Sequence, residues 1–358
     1  MILHGLIHLM GFTKEWQLGP KSQLKGKTLF DLSGNAGRFA GLLWLITCLL
    51  LIGAALTYIM QREWYWILAS VALIISQLLI IIYWQDAKFG TIANVMILIA
   101  IIFSAGHMQF NGMVRNEIKS IISNGSPGSL VVTEDMIKDL PLSVQRWLHQ
   151  SNIIGKETSN VVHIKQKGQM RTKPGNAWMA FEAEQYFTID PPAFLWNAKI
   201  KAAPYIDIVA RDKYENGQGN MLIKALYIYR VANSSGKEID QGTLLRYLAE
   251  IVWFPQAALS DYLDWEEIDD HHARVTMSYH DVTASGIYTF NDEGRVAQFE
   301  AQRYGSFDGV YKTETWSITS TGFKVFNGTP IANTSQVTWK LKGGDFTWLK
   351  LEVTDIVR

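Results

Sequence analysis

The sequence predicts a membrane-embedded α-helical module at the amino terminus, followed by an α+β soluble domain. That domain is expected to be a curved, mostly antiparallel β-sheet with a covering helix. Three observations carry this reading. Residues 39–110 are almost uncharged, whereas residues 115–358 hold most of the charge, glycine and turn residues. Beyond residue 153, apolar and polar residues alternate in runs separated by turn signals, the period of half-buried strands. A single helical stretch, LLRYLAEIVWFPQAAL from Leu244 to Leu259, interrupts those runs. The expected divisions are a transmembrane module over 1–114, a helical linker over 115–152 and a β-rich extracytoplasmic domain over 153–358.

The membrane module comes first. Three segments are long enough to cross about 30 Å of hydrocarbon at about 1.5 Å per residue: 39–60, 64–84 and 91–110. The first segment, FAGLLWLITCLLLIGAALTYIM, carries no charge, and the second has aromatic residues at both ends. MILHGLIHLMGF at the start is apolar but short. It lacks the basic region and cleavage site of a signal peptide. It reads either as a short first span over 1–16 or as an interfacial segment. Cys48, the single cysteine, lies in an apolar run, so there is no disulfide framework.

Loop charges set the expected orientation. Lys14, Lys21, Lys25, Lys27 and Arg38 stand against Glu15 and Asp31 in the first loop, which places that loop in the cytoplasm. Asp86 and Lys88 return to that side, and Arg62 and Glu63 lie opposite. Everything from Arg115 onward is then expected outside the cytoplasm of a bacterial inner membrane, with the protein a multi-pass one. Within the spans, Gln77 and Asn94 suit interhelical hydrogen bonding. His4 and His8 share a helix face. With His107 they form either ordinary interfacial hydrogen bonds or, if all three stand at one level, a haem or metal site.

The exported half opens with a polar helical stretch from Asn116 to about Asn152, broken by NGSPGS. TEDMIKDL and LSVQRWL each start like a helix. Roughly nine or ten strands follow, among them VVHIKQKGQM, WMAFEAEQYFTI, MLIKALYIYRVA and SQVTWKLKGGDFTWLKLEV, with DEGR as a hairpin turn. The helix is expected over 242–254, stopped by Pro255 and lying on the concave face of one curved sheet.

On that helix, Leu244, Leu248, Ile251 and Val252 make one apolar face. Arg246 and Glu250 lie four apart on another side. They read as a surface bridge or as the rim of an apolar groove, where the guanidinium could meet an anionic head group. Trp253, Phe254, Trp178, Phe181 and Trp196 are the candidate lining of such a groove. No GxSxG and no glycine-rich phosphate loop occurs, and DDHH at Asp269 to His272 reads as a solvated turn. Glu182, Glu184, Asp190, Asp207 and Asp212 alternate with apolar neighbours and can face water. With 33 basic and 33 acidic residues, net charge points to no polyanionic partner, and no basic-aromatic stripe marks nucleic-acid binding.

The blocks IHLMGF, WQDAKFGTIAN, DPPAFLW, RYLAEIVWFPQAAL and FNDEGRVAQFEAQRY resemble a bacterial membrane-protein family known mainly as a domain of unknown function, of the DUF6544/DUF6920 type. The resemblance implies several amino-terminal helices, with more apolar sequence ahead of His4 to Phe12 than stands here. It also implies a β-rich carboxy-terminal domain, and it implies no activity or cofactor. The reading is a membrane-anchored, non-catalytic domain binding a lipid, a lipoprotein or another apolar ligand. The alternatives are a structural module that meets envelope proteins, and an envelope enzyme using Glu250 and an exported histidine.

Overall fold

The structure is a computed structural model that describes residues 1–18, 27–30, 32, 34–62, 64–126, 129–204, 206–307 and 309–357. Lys21, Lys25, Asp31 and Glu63 of the charge argument lie outside the described residues. Contacts divide the chain into two compact units, Met1–Asn111 and Gly112–Arg358.

The first unit is built of α1 (Ile2–Glu15), α2 (Asn35–Ile59), α3 (Tyr65–Ile82), the short α4 (Trp84–Ala87) and the start of α5 (Gly90–Asn124). Three of these, α2, α3 and α5, are long and apolar enough to cross a membrane. Outward-facing side chains such as Leu49, Ile74, Ile92 and Met96 are more than 60% exposed, as a lipid-facing surface requires. Where helices meet, small residues let them approach: a Cβ on Gly11 would stand 2.6 Å from the Trp44 ring. Within an otherwise apolar interior, one polar cluster is paired. His4 Nε2 donates to Asn94 Oδ1 at 3.0 Å, and His8 Nδ1 donates to the His4 carbonyl at 2.7 Å. His8 Nε2 faces Ser76 Oγ at 2.9 Å, and Asn94 Nδ2 donates to Gln77 Oε1 at 3.0 Å.

Of the two readings of the three histidines, this geometry does not give the one that needs a shared level. His107 hydrogen-bonds Asn111 on its own helix. It lies thirteen residues beyond Asn94, the partner of His4, or about 20 Å along α5. The reason is the length of α1, whose 14 residues reach only about 21 Å and begin at the depth of Asn94. Among the described residues no cluster of three or more His, Cys, Asp or Glu gathers as a metal site.

The second unit begins with the end of α5, β1 (Ser129–Val131), α6 (Glu134–Ile137), α7 (Leu142–Gln150) and β2 (Glu157–Ser159), which pairs with β1. Six strands then meander: β3 (Val161–Met170), β4 (Met179–Thr188), β5 (Ala193–Ala203), β6 (Ile206–Glu215), β7 (Gln218–Ala225) and β8 (Tyr229–Ser235). The chain passes through α8 (Lys237–Glu250) and two 3-10 turns to Leu259. Seven further strands follow: β9 (Leu263–Asp269), β10 (His272–Tyr279), β11 (Val282–Phe290), β12 (Val296–Phe307), β13 (Val310–Phe326), β14 (Thr329–Leu341) and β15 (Gly344–Val357). All of β3 to β15 form one 13-stranded antiparallel sheet, ordered β8-β7-β6-β5-β4-β3-β15-β14-β13-β12-β11-β10-β9.

The connection from β8 to β9 therefore joins the two opposite edges of the sheet, and α8 is the element that makes the crossing. It packs against β6, β7 and β8 on one side and β10, β11 and β12 on the other. The sheet curls round it, so that α8 is buried on almost every side. The helix also begins five residues before the expected Gly242. Gly236, at φ 109°, turns the chain in, and Asp240 Oδ1 accepts from the Gly219 amide at 2.7 Å.

The strand number exceeds the expected nine or ten for local reasons. MLIKALYIYRVA is two strands, because Leu226 and Tyr227 take φ of 52° and 65° and close a tight turn without glycine or asparagine. SQVTWKLKGGDFTWLKLEV breaks before Gly344, at φ 111°. The acidic edge strand β9 carries no clean alternation and was not expected.

Gly219 fixes how closely β7 meets α8. A Cβ there would stand 2.3 Å from Thr243 Oγ1 and 2.8 Å from the Ile239 carbonyl. A carbonyl cannot swing aside as a side chain can. Gly219→Ala is expected to lower stability by about 1–3 kcal/mol. In thermal melts with hydrogen exchange of the full chain in detergent, the lost protection should fall on 237–250; unchanged protection there would refute this docking role.

Candidate functional site

Strand alternation decides what the inside of the curl contains. On β3 the inward series is Val162, Ile164 and Gln166; on β4 it is Phe181, Ala183, Gln185 and Phe187, all buried. On β5 it runs Phe194, Trp196, Ala198, Ile200, and on β6 Ala210, Asp212, Tyr214. On β12 it runs Phe299, Ala301, Arg303, Gly305. Four strands thus each place one polar side chain, Gln166, Gln185, Asp212 or Arg303, in an otherwise apolar register.

Three of these four join two residues of α8 in one network. Trp196 Nε1 donates to Gln166 Oε1 at 2.9 Å, and Gln166 Nε2 donates to Gln185 Oε1 at 3.0 Å. Gln185 Nε2 donates to Glu250 Oε2 at 2.7 Å. Arg246 donates through Nε to Glu250 Oε1 and through Nη1 to Asp212 Oδ2, each at 2.7 Å. Its guanidinium also lies 5.0 Å from the ring centres of Phe194 and Trp196. Burial works against the Arg246 charge, but the carboxylates of Glu250 and Asp212 outweigh it and hold the guanidinium above its ordinary value.

A cavity of about 510 Å³ lies between this stripe of α8 and the sheet, a volume in the range of small-molecule pockets. Its apolar wall includes Phe181, Trp196, Trp253, Phe299, Trp316 and Trp339. Exposed Thr172, Tyr304, Ser306 and Tyr311 mark its mouth. The other half of the curl is filled. There Phe187 packs on Phe254 at 4.6 Å between ring centres, and Tyr288, stacked on Trp147 at 5.8 Å, donates to the Leu248 carbonyl at 2.6 Å.

Each sequence candidate now has a place. Phe181, Trp196, Trp253, Arg246 and Glu250 line the cavity together. Arg246 and Glu250 are not at a rim or on the surface, as expected. They lie beneath the helix, where Asp212 and Gln185 supply the partners that water would otherwise supply. Phe254 is fully buried in the filled half and off the cavity wall, because the 3-10 turn after Glu250 rotates it away from the stripe that carries Trp253. Trp178 stands outside the cavity wall, under the Arg171 guanidinium at 4.6 Å and the Lys350 ammonium at 4.8 Å. Asp212, expected to face water with Glu182 and Glu184, is turned inward.

The residue that sequence reasoning passed over is Arg303. Its Nε donates to the Gly242 carbonyl of α8 at 3.1 Å. Its guanidinium lies 4.8 Å from the Trp316 ring centre and 5.7 Å from that of Trp339. Burial pushes its pKa down to about 10, with Arg246 acting in the same sense and Asp212 and Glu250 opposing. It stays protonated at neutral pH. The signal was the parity of RVAQFEAQRYG, which continues the inward series Phe299, Ala301 to position 303.

The network predicts a double-mutant result. Arg246→Leu leaves Glu250 and Asp212 buried without their cation and is expected to cost about 3–5 kcal/mol, much of it regained when Glu250→Leu is added. Thermal melts of the full chain in detergent measure both, and strictly additive losses would refute the coupling.

A family model described as "Family of unknown function (DUF6544)" matches residues 130–351. No curated protein matches the chain. Among solved structures, a DUF1329 family protein from Desulfovibrio piger ATCC 29098 is similar at 7% identity and TM-score 0.33, covering 60% of this chain and 90% of that one. A LolA superfamily protein from Nitrosomonas europaea is similar at 11% identity and TM-score 0.35, covering 60% of this chain and 92% of that one.

Proposed function

The chain belongs to the DUF6544 family, and we propose that it is a membrane-anchored module whose β-domain binds a lipid or another apolar ligand without catalysis. The observation that carries this reading is the cavity of about 510 Å³ between α8 and the sheet. Its wall of tryptophan and phenylalanine is the chemistry that takes up acyl chains, and a cavity of that size is held open rather than packed. A domain that used its aromatics only as core for a protein-binding exterior would have closed this space. A hydrolytic site would need a nucleophile with a base beside it. Here Arg246 engages Glu250 and Asp212 in ion pairs, and Glu250 also accepts from Gln185.

The ligand would come from the membrane in which α2, α3 and α5 are anchored. In this reading the chain sits in a bacterial inner membrane with residues from Arg115 onward outside the cytoplasm, as the charge of the first loop favours. Reporter fusions at Ser120 and at Asp86 should then report opposite sides; the same side for both would refute the topology.

Binding is tested by feeding expressing cells a fatty acid that carries a photoreactive diazirine, irradiating them and mapping labelled peptides of the full chain. Label is expected on α8, β12 and β13 as well as on the membrane helices. Ala249→Trp, which fills the cavity from the helix side, should reduce the label on β12 and β13 by about tenfold or more. Label confined to the membrane helices in the unaltered chain would overturn the reading.

A further inference from the structure

We propose that Arg303 is the anchor for the anionic end of an amphiphilic ligand, an oxyanion-headed lipid whose acyl part occupies the aromatic wall of the cavity. This rests on the ligand-binding reading above and adds the chemical class of the ligand.

Arg246 and Arg303 both reach the inner part of the cavity, and they differ in how they are satisfied. Arg246 is fully engaged, with ion pairs to Asp212 and Glu250 at 2.7 Å each. Arg303 donates one hydrogen bond, from Nε to a carbonyl, and among the described residues it forms no ion pair with a carboxylate. Its two terminal nitrogens form the open end of the fork. That end is the one that meets the two oxygens of a carboxylate or phosphate in parallel.

The surroundings hold the fork in place. Gly242 contributes the carbonyl that fixes Nε, and a Cβ at Gly242 would stand only 3.3 Å from Arg303 Nη2. Trp316 and Trp339 cover the guanidinium with their faces, and both also line the cavity. Arg303 is only partly exposed, and its open donors belong to the cavity lining, where an anion can complete them. Arg171, the other cation of the lining, is the outer one. It stands at the end of β3 beside exposed Thr172, with Nε spent on the Thr347 carbonyl at 2.8 Å.

The internal rival is Asp212, whose Oδ1 is buried with no hydrogen-bond partner. If Arg303 serves only to balance that carboxylate across the cavity, an anionic ligand gains nothing from it.

The test uses the purified full chain in nanodiscs of phosphatidylcholine, photolabelled in the cavity with a diazirine-bearing palmitoyl probe. Palmitate, palmitoyl lysophosphatidate and hexadecanol compete for the label, read on the peptides of β12 and α8. Palmitate or lysophosphatidate should compete at concentrations at least about thirtyfold lower than hexadecanol, and the stronger of the two identifies carboxylate or phosphate as the head. Arg303→Gln should remove that advantage while leaving competition by hexadecanol within about threefold, and Arg303→Lys should restore part of it. Equal competition by all three in the unaltered chain, a comparison that needs no variant to fold, would overturn the proposal and leave the binding reading standing. An advantage that persists in Arg303→Gln would overturn it too. Absence of any cavity label in the unaltered chain is the separate result that would remove the binding reading itself.

Discussion

The second unit depends on one topological constraint. A 13-stranded antiparallel sheet built as two meanders leaves the end of the first meander, β8, and the start of the second, β9, at opposite edges. The chain must cross the full width of the sheet between Ser235 and Leu263, and a helix with two 3-10 turns makes that crossing. Backbone carried across a sheet face has to satisfy its own polar groups, which a helix does internally. A crossing of one face in turn gives the sheet something to curl around. Curl and covering helix go with where β8 and β9 lie.

Within this frame the helix has two inward sides rather than one inside and one outside. Leu244, Tyr247, Leu248 and Ile251 meet the filled half, where Phe187, Phe194 and Tyr288 close the space. Gly242, Arg246, Ala249, Glu250 and Trp253 recur at helical spacing and meet the cavity. The first of these stripes was legible in the sequence, because its apolar residues repeat with the helical period. The second was legible as a charged pair and was read as outward. That inference holds for a helix lying on a flat sheet. It fails for one enclosed by a curled sheet, where a charged side can be partnered by Asp212 and Gln185 of strands distant in sequence.

The same distinction explains the rest of what the sequence showed and hid. Apolar spans and β alternation are local patterns, and α2, α3, α5 and most of the strands follow them. The split of MLIKALYIYRVA turns on Leu226 and Tyr227 adopting left-handed backbone, which neither residue type signals. Around Asp212 the run ARDKYE offers charged residues on both faces, so parity alone could not assign the strand. Arg211 faces the opposite way from Asp212 and is itself buried, 3.0 Å from Glu117 of α5. A single level for His4, His8 and His107, one of the two readings of the sequence, required α1 to span fully, and a helix of 14 residues does not reach.

The cavity itself has a physical cause in the mixture of side chains along the second stripe of α8. Gly242 and Ala249 are too small to reach the tryptophans of the facing strands, so they leave room. Larger apolar residues at those positions would have filled it, as Tyr247 and Phe254 fill the other half. Arg246 then keeps the space from closing. Its bond to Asp212 on β6, with the bond from Gln185 of β4 to Glu250, ties helix to sheet at this spacing. Collapse of α8 onto the aromatic wall would have to break the Arg246–Asp212 bond and leave that carboxylate without its cation in a low-dielectric interior. The charged stripe that looks out of place inside a β-domain is what separates a hollow from a core.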